Sequence, residues 1–548
     1  MYEEKPVKTT TTFDYVVVGT GAAGSVVAAR LSESDGTTIC ALESGPKDLH
    51  PFIHLPAGFI KIMFNPDYTW QFKTEGSPGV NGREVAMPIG RTVGGSSSIN
   101  GMVINRGQAN DFNTWAQRGN RGWGYDDVLP YFKKFETRIG EGHDSYRGRS
   151  GNIPVTDLEL RHEICEAFIE GAQELGIPRN PDYNGASQAG VGYFQRAIKR
   201  GLRRSAARSF LWPAIRKTKR IDLRTRARVF KILLEGKRAV GIRYVDERDK
   251  SVHEVRARRE VVISGGTINT PRLLQMSGIG NPEHLQEIGA EVLHDLPGVG
   301  ENFRDHCSVR VVARAKNALT MNEMTRGVRL WGQAARWVFN QPNLLAVSPS
   351  LVHCFWKSDE ALSEPDLQVV FTPASYKAGF VSLLDDFPGM SCGIWQHRPE
   401  SLGYVRAKSL DPFTDPAIQP NYLSHPVDQK AMVDGIKLAR RLLGTGAMSK
   451  YIDFETLPGT DIQRDEDILS WARDFGASVW HLIGTSRMGP RSEALTVVDD
   501  QLRVHGMEGL RIIDASVMPS MPSANTYAST LMIAEKGADM IRAGNWAA

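Results

Sequence analysis

The sequence predicts an α/β fold: a Rossmann-like unit assembled from discontinuous segments, joined to a second unit of mixed α+β character. Three observations predict it. Phe13–Val18 is a short β-branched run, followed by Gly19-Thr20-Gly21-Ala22-Ala23-Gly24 and a small-residue stretch, Ser25–Leu31, compatible with helix. A second β-type run, Thr38–Leu42, ends at Glu43, roughly 20 residues past Gly24, which closes a βαβ unit and implies a parallel sheet. Residues 310–475 then change character, mixing strand-like runs (Leu367–Phe371, Gly393–Trp395) with a helical one (Val427–Leu443) among frequent large aromatics.

The chain has 548 residues, more than the roughly 100–200 usual for one domain, so two connected units are expected. Segments 12–155, 200–310 and 476–545 are assigned to the first, and 156–199 with 311–475 to the second. Residues 56–130, rich in Gly, Pro, Asn and aromatics without periodicity, read as long loops lying over something buried. Residues 160–176 place apolar side chains at helical spacing and stop at Gly176. Strand-like runs recur at Ile221–Val229, Ala239–Val245 and Glu260–Ile263. Leu510–Ile513 and the helical Thr530–Ile541 repeat the βα type and are expected to rejoin the first sheet.

Composition excludes several classes. Hydrophobic residues at 41% and charged residues at 23% are those of a folded globular chain, and a net charge of +4 is too small to hold nucleic acid non-specifically. Residues 196–228 carry thirteen Lys or Arg against one acid, Asp222. That stretch reads as a solvated face, with an anionic membrane surface or acidic partner as the alternative. The five cysteines are scattered without a CxxC pair, and Pro51 separates His50 from His54, so no metal is expected. The polar N-terminus and the lack of any run near 18 apolar residues predict a cytoplasmic chain without a transmembrane span, peripheral at the inner membrane at most.

Gly19 suits a tight turn, Gly21 the approach of backbone to a pyrophosphate and Gly24 close helix packing, while Glu43 can accept hydrogen bonds from ribose hydroxyls. The pattern predicts a dinucleotide site but leaves NAD and FAD open. The segment Gly90-Arg91-Thr92-Val93-Gly94-Gly95-Ser96-Ser97-Ser98-Ile99-Asn100-Gly101 adds paired glycines, hydroxyls and an amide suited to a bulky polar ring.

With Gly266-Thr267-Ile268-Asn269-Thr270-Pro271-Arg272, Val299-Gly300-Glu301-Asn302-Phe303-Arg304-Asp305-His306, His481-Leu482-Ile483-Gly484-Thr485-Ser486-Arg487-Met488-Gly489 and Asp514-Ala515-Ser516-Val517-Met518-Pro519, that segment resembles the glucose-methanol-choline (GMC) oxidoreductases nearly end to end. Trp115-Ala116-Gln117 and Gly122-Trp123-Gly124-Tyr125 look most like the bacterial alcohol and choline dehydrogenase branch. The resemblance implies FAD bound at Gly19, Gly21, Gly24 and Glu43, along Arg91, Val93, Gly95, Ser96, Asn100, Gly101, Met102 and Val103, and at Val229, Asp514, Ala515, Asn525 and Thr526. Several relatives link the flavin covalently to a histidine where this chain has Ile99, so non-covalent FAD is expected.

The family's catalytic pair falls on His481 and Asn525. An amide cannot act as a base, which leaves His481 to take the hydroxyl proton of a primary alcohol as hydride passes to flavin N5, giving an aldehyde. An acid limb near about 6.5 would mark an unshifted imidazole. The electron acceptor, O2 or a quinone, carries no readable signature. The alternatives within the fold are a lyase or photoenzyme, a choline-type amino-alcohol dehydrogenase and a non-enzymatic flavoprotein. His306 is expected to be structural, with His397 as a further candidate for the pocket. Trp331, Trp337, Trp356, Phe371, Tyr376 and Trp395 are expected mostly in the core, with a substrate cavity as the alternative.

Overall fold

A computed structural model describes residues 6–377 and 383–544, organised on two seven-stranded sheets. The first runs in the order Ile221–Thr225, Ile39–Glu43, Val7–Val18, Val252–Ile263, Arg238–Asp246 and Ala227–Glu235. Leu510–Ile512 joins it in parallel at Val261–Ile263. Its parallel centre is buried, every residue of Ile39–Glu43 included, and this is why those strands read as continuous β-branched and apolar runs. The helices Ala22–Leu31 and Tyr527–Ala543 pack against each other and share one core cluster with this sheet.

Three expectations need correction. Val7–Val18 extends well upstream of Phe13, because exposed threonines there pair with Thr9↔His253 through Thr12↔Arg256. Ile221–Val229 is two strands, Ile221–Thr225 and Ala227–Glu235, broken where Arg226 takes φ 58 and donates its N–H to Gly45 O at 2.9 Å. Those two strands are consecutive in the chain yet stand at opposite ends of the strand order, so the sheet curls back there. Finally, residues 56–130 are not only loops. They contain the hairpin Thr69–Lys73 with Ala86–Gly90 and the helices Ala109–Gln117 and Tyr125–Phe135, whose Phe112, Trp115, Val128 and Phe132 enter the first core. A Gln108/Asp111 capping box starts the first helix, while Pro130 inside the second masked its period.

The second sheet is antiparallel, in the order Ile452–Leu457, Cys307–Ala315, Gly389–Gln396, Leu367–Thr372, Val352–Trp356 and Gly190–Tyr193, with Ala477–Ser478 paired to Cys307–Ala315. Pleating divides each central strand between two environments. Val309, Val311, Leu367, Val369, Phe371, Met390, Cys392 and Ile394 share a core cluster with residues of the Glu163–Glu174 and Pro426–Leu443 helices. Their alternates, Ser308, Arg310, Gln368, Val370, Thr372, Ser391, Gly393 and Trp395, wall a cavity on the other face. Among the described residues no helix is long and apolar enough to cross a membrane.

Candidate active site

The cavity, about 420 Å³, lies between the first glycine turn and the polar face of the second sheet. Its volume is that of a ligand site. Gly19 sits at φ +92, and a Cβ there would lie 2.4 Å from Ser264 O. A Cβ on Gly24 would lie 1.9 Å from Gly19 O, and one on Gly95, at φ +51, would lie 2.6 Å from the Cα of Gly21. These glycines therefore let three backbone segments touch at the cavity floor. No side chain caps the Ala22–Leu31 helix at Gly21, so the first-turn N–H groups at the cavity wall suit an anion.

Glu43 closes the floor at the end of its strand. Its carboxylate accepts from Thr20 N at 3.1 Å, Thr20 Oγ1 at 2.9 Å and Gly45 N at 2.9 Å, while burial pushes its pKa up. Asp514 accepts from Gly266 N at 2.8 Å, Thr270 Oγ1 at 2.7 Å and Ser516 N at 2.8 Å, locking the Gly266–Met276 helix start to the C-terminal segment. Ser96, Asn100, Gly101, Met102 and Val103 line the same cavity, as do Gly19, Gly21, Gly95, Val229, Ala515, Asn525 and Thr526. Ile99 lines it too, packed on Ile53 and Ile62.

Three sequence candidates are not brought to the wall. Gly24 lies behind the turn it permits. Val93 is buried in the first core. Arg91 ion-pairs with Glu247 and places its guanidinium 5.0 Å from the Trp70 ring centroid.

His481 and Asn525 meet: Asn525 Nδ2 lies 2.9 Å from His481 Nε2. Asp305 positions this segment, its carboxylate accepting from His481 N and His306 N at 2.8 Å each and from Ser478 Oγ and Tyr422 Oη at 2.5 Å each. Burial raises the Asp305 pKa to about 6, against those four donors.

The hydrogen-bond chain assigns the tautomer. His306 Nε2 lies 2.7 Å from His397 O, a carbonyl that can only accept, so Nε2 carries the hydrogen. Burial lowers the His306 pKa to about 4, which keeps the ring neutral and its Nδ1 bare. His481 Nδ1, 2.9 Å from that atom, must then be the donor, leaving Nε2 of His481 as a lone pair facing Asn525. Gln368 Nε2, 3.4 Å from Asn525 Oδ1, turns the amide so that its NH2 group faces His481. Burial and then the His306 ring hold the His481 pKa well below 6.5.

His306, expected to be only structural, thus touches the candidate base. His397 contributes its backbone carbonyl, while its ring is buried away from the cavity. Of the aromatics, Trp395 and Tyr376 reach the wall, and Trp395 lies 5.9 Å from the His481 ring centroid. Phe371 stacks on Phe168 in the core, Trp356 packs at the edge of that core, Trp337 donates to Gly201 O, and Trp331 is exposed. Sequence reading missed Gln368, Ser308 and Arg310. The signal was the alternation Ser308-Val309-Arg310-Val311, which also fits an ordinary solvent-facing strand.

Two family models, both described as GMC oxidoreductase, match residues 13–308 and 399–534. An alcohol dehydrogenase [acceptor] of Pseudomonas putida is 36% identical over 534 residues, covering 96% of this chain and 95% of that one. An oxygen-dependent choline dehydrogenase of Staphylococcus saprophyticus is 37% identical over 536 residues, covering 97% and 95%. Among solved structures, pyridoxine 4-oxidase from Mesorbium loti aligns with TM-score 0.86 at 28% identity, over 96% of this chain and 98% of that one. A variant formate oxidase of Aspergillus oryzae aligns with TM-score 0.89 at 25% identity, over 97% and 98%.

Proposed function

The chain belongs to the GMC oxidoreductase family, and from that membership we propose that it is an FAD-dependent alcohol dehydrogenase or oxidase that turns a primary alcohol into an aldehyde, with His481 as the base. The observation that carries this reading is the hydrogen-bond chain from His397 O through His306 and His481 to Asn525, which assigns the Nε2 lone pair of His481 to the side of the amide donor. The glycine floor, the uncapped helix start and the buried Glu43 carboxylate fit a dinucleotide. FAD, when bound, supplies the acceptor for the hydride from the carbinol carbon. His481 Nε2 takes the hydroxyl proton, and Asn525 Nδ2 holds the substrate oxygen as charge develops on it. His306 Nδ1 accepts the hydrogen bond of His481 Nδ1 and so keeps the imidazole in the productive orientation.

FAD is bound without a covalent link, since the aliphatic Ile99 stands where a linking histidine would be. Acid-precipitated holoprotein is expected to leave all its flavin in the supernatant, and under anaerobic conditions an alcohol alone should bleach the visible flavin band of the native protein. Flavin that stays with the precipitate refutes the dissociable cofactor, and a band unmoved by every alcohol tried favours the lyase or photoenzyme reading. Admitting air afterwards and measuring hydrogen peroxide, against reoxidation by a quinone, separates the two acceptors.

Peripheral membrane contact is proposed for the Gly327–Val338 helix. Val328, Trp331 and the following Phe339 are 85%, 78% and 75% exposed, far beyond ordinary scattered surface apolar residues. Arg329 and Arg336 lie on the same helix, and Trp337 Nε1, donating to Gly201 O at 3.0 Å, ties it to the basic 196–228 stretch. Co-sedimentation with vesicles of anionic phospholipid is expected, weakened about tenfold or more by Trp331→Asp. Equal recovery with neutral and anionic vesicles, or none with either, contradicts it.

A further inference from the structure

We propose that the cavity selects alcohols bearing a negatively charged group several bonds from the hydroxyl, and that Arg310 receives that group. The inference rests on the alcohol-oxidising reading above and narrows its substrate.

Arg310 stands on the cavity face of the Cys307–Ala315 strand, directly across the ladder from Gly393. Gly393 offers no side chain, and the Cβ it lacks would lie 2.9 Å from Val370 Cγ2, so no larger residue fits opposite the arginine. Among the described residues the Arg310 side chain has no ion pair and no hydrogen bond, and its guanidinium lies 5.2 Å from the Tyr376 ring centroid. The other wall arginines differ. Arg228 pairs with Glu247, and Arg272 donates to the carbonyls of Pro412 and Thr414. Among the described residues the acids lining the cavity are Glu43 and Asp514, at the glycine floor and the C-terminal segment, each already accepting three hydrogen bonds.

A guanidinium enclosed by protein without a counter-charge is costly, and burial pushes its pKa below the usual arginine range. A carboxylate on the ligand removes that cost with charge-assisted bonds to the guanidinium, while the hydroxyls of Ser308, Thr372 and Ser391 on the same face already donate to the carbonyls of Val309, Pro349 and Ala374. Position sets the spacing. His306 touches His481, and Arg310 lies four residues further along, roughly 13 Å of strand at about 3.3 Å per residue. The Trp395 ring stands between these two ends, 5.9 Å from the His481 ring, which suits a flat spacer. A quaternary ammonium meets a cation and no acid on this side, so the choline activity named for some relatives does not fit this wall.

The test compares para-(hydroxymethyl)benzoate, para-(hydroxymethyl)benzamide and para-(trimethylammonio)benzyl alcohol on the wild-type holoprotein. kcat/KM is expected to favour the anion over the amide by about 10–100-fold, with the cation poorest. Calorimetry should show para-methylbenzoate, which has no hydroxyl to oxidise, binding where para-methylbenzamide does not. Arg310→Met should erase both preferences, and Arg310→Lys should restore part of them. Equal wild-type kcat/KM for anion and amide, failure of para-methylbenzoate to bind, or a preference that survives Arg310→Met each overturns the inference. If no alcohol reduces the flavin while para-methylbenzoate still binds, the proposed reaction fails and the anion site stands.

Discussion

His481→Ala is expected to lower alcohol-dependent flavin reduction by about 10²–10⁴-fold, the usual worth of a positioned base, while the protein still holds FAD. The cofactor floor is built by Gly19, Gly21, Gly95, Glu43 and Asp514, none of which uses the imidazole. Asn525 remains after the substitution but can only donate through Nδ2, so nothing at that position replaces the lost lone pair. Rapid anaerobic mixing with substrate isolates the reductive step, and a rate within a few-fold of wild type refutes the role.

The pH dependence follows from the same burial. An unshifted imidazole would give an acid limb near about 6.5. His481 is held well below that and His306 is lowered to about 4, so the pair stays neutral and productive as pH falls through 6.5. Proton uptake at the pair, which turns Nε2 into a donor, should come only well below 6.5, after Asp305, raised to about 6, has protonated and loosened the segment that carries His481. A midpoint at or above about 6.5 would mean that the ring is not shielded as described.

Gly24→Ala is expected to abolish FAD retention. The new methyl would lie 1.9 Å from Gly19 O, a backbone atom in a turn already fixed by Gly19 N donating to Leu42 O at 2.8 Å. Neither side can yield without moving the Ala22–Leu31 helix off its strand and spoiling the anion-binding N–H groups. Gly332→Ala supplies the control, because a Cβ there meets nothing within 4 Å and the residue lies inside a helix. That variant should keep its flavin and gain roughly 0.5–1 kcal/mol. Flavin per protein after gel filtration decides the matter, and a Gly24→Ala protein isolated with full FAD would contradict the packing account.

Legibility in the sequence tracked the range of the interactions. The first βαβ unit was readable because its turn, its helix and Glu43 are set by neighbours within a few dozen residues. The break at Arg226 was not, since a left-handed arginine has no compositional mark and the backbone bond to Gly45 that holds it is distant in sequence. His306 looked structural for the same reason. Its part depends on His481, 175 residues away, and on a carbonyl at position 397. The wall of Ser308, Arg310 and Ser391 was hidden because a polar strand face reads alike whether it meets bulk water or an enclosed cavity.

The pleat of the second sheet has one more consequence. On its three central strands Ser308, Arg310, Gln368, Val370 and Ser391 face the cavity, each flanked in sequence on both sides by residues that point into the hydrophobic interior. Drift at the even positions 308, 310 and 368 and the odd position 391 can therefore retune which molecules enter without touching the packing that keeps the sheet folded. Deleting one residue from any of these strands does the opposite, exchanging the two roles along the rest of that strand, so the sheet accommodates replacement at the wall but not a change of strand length.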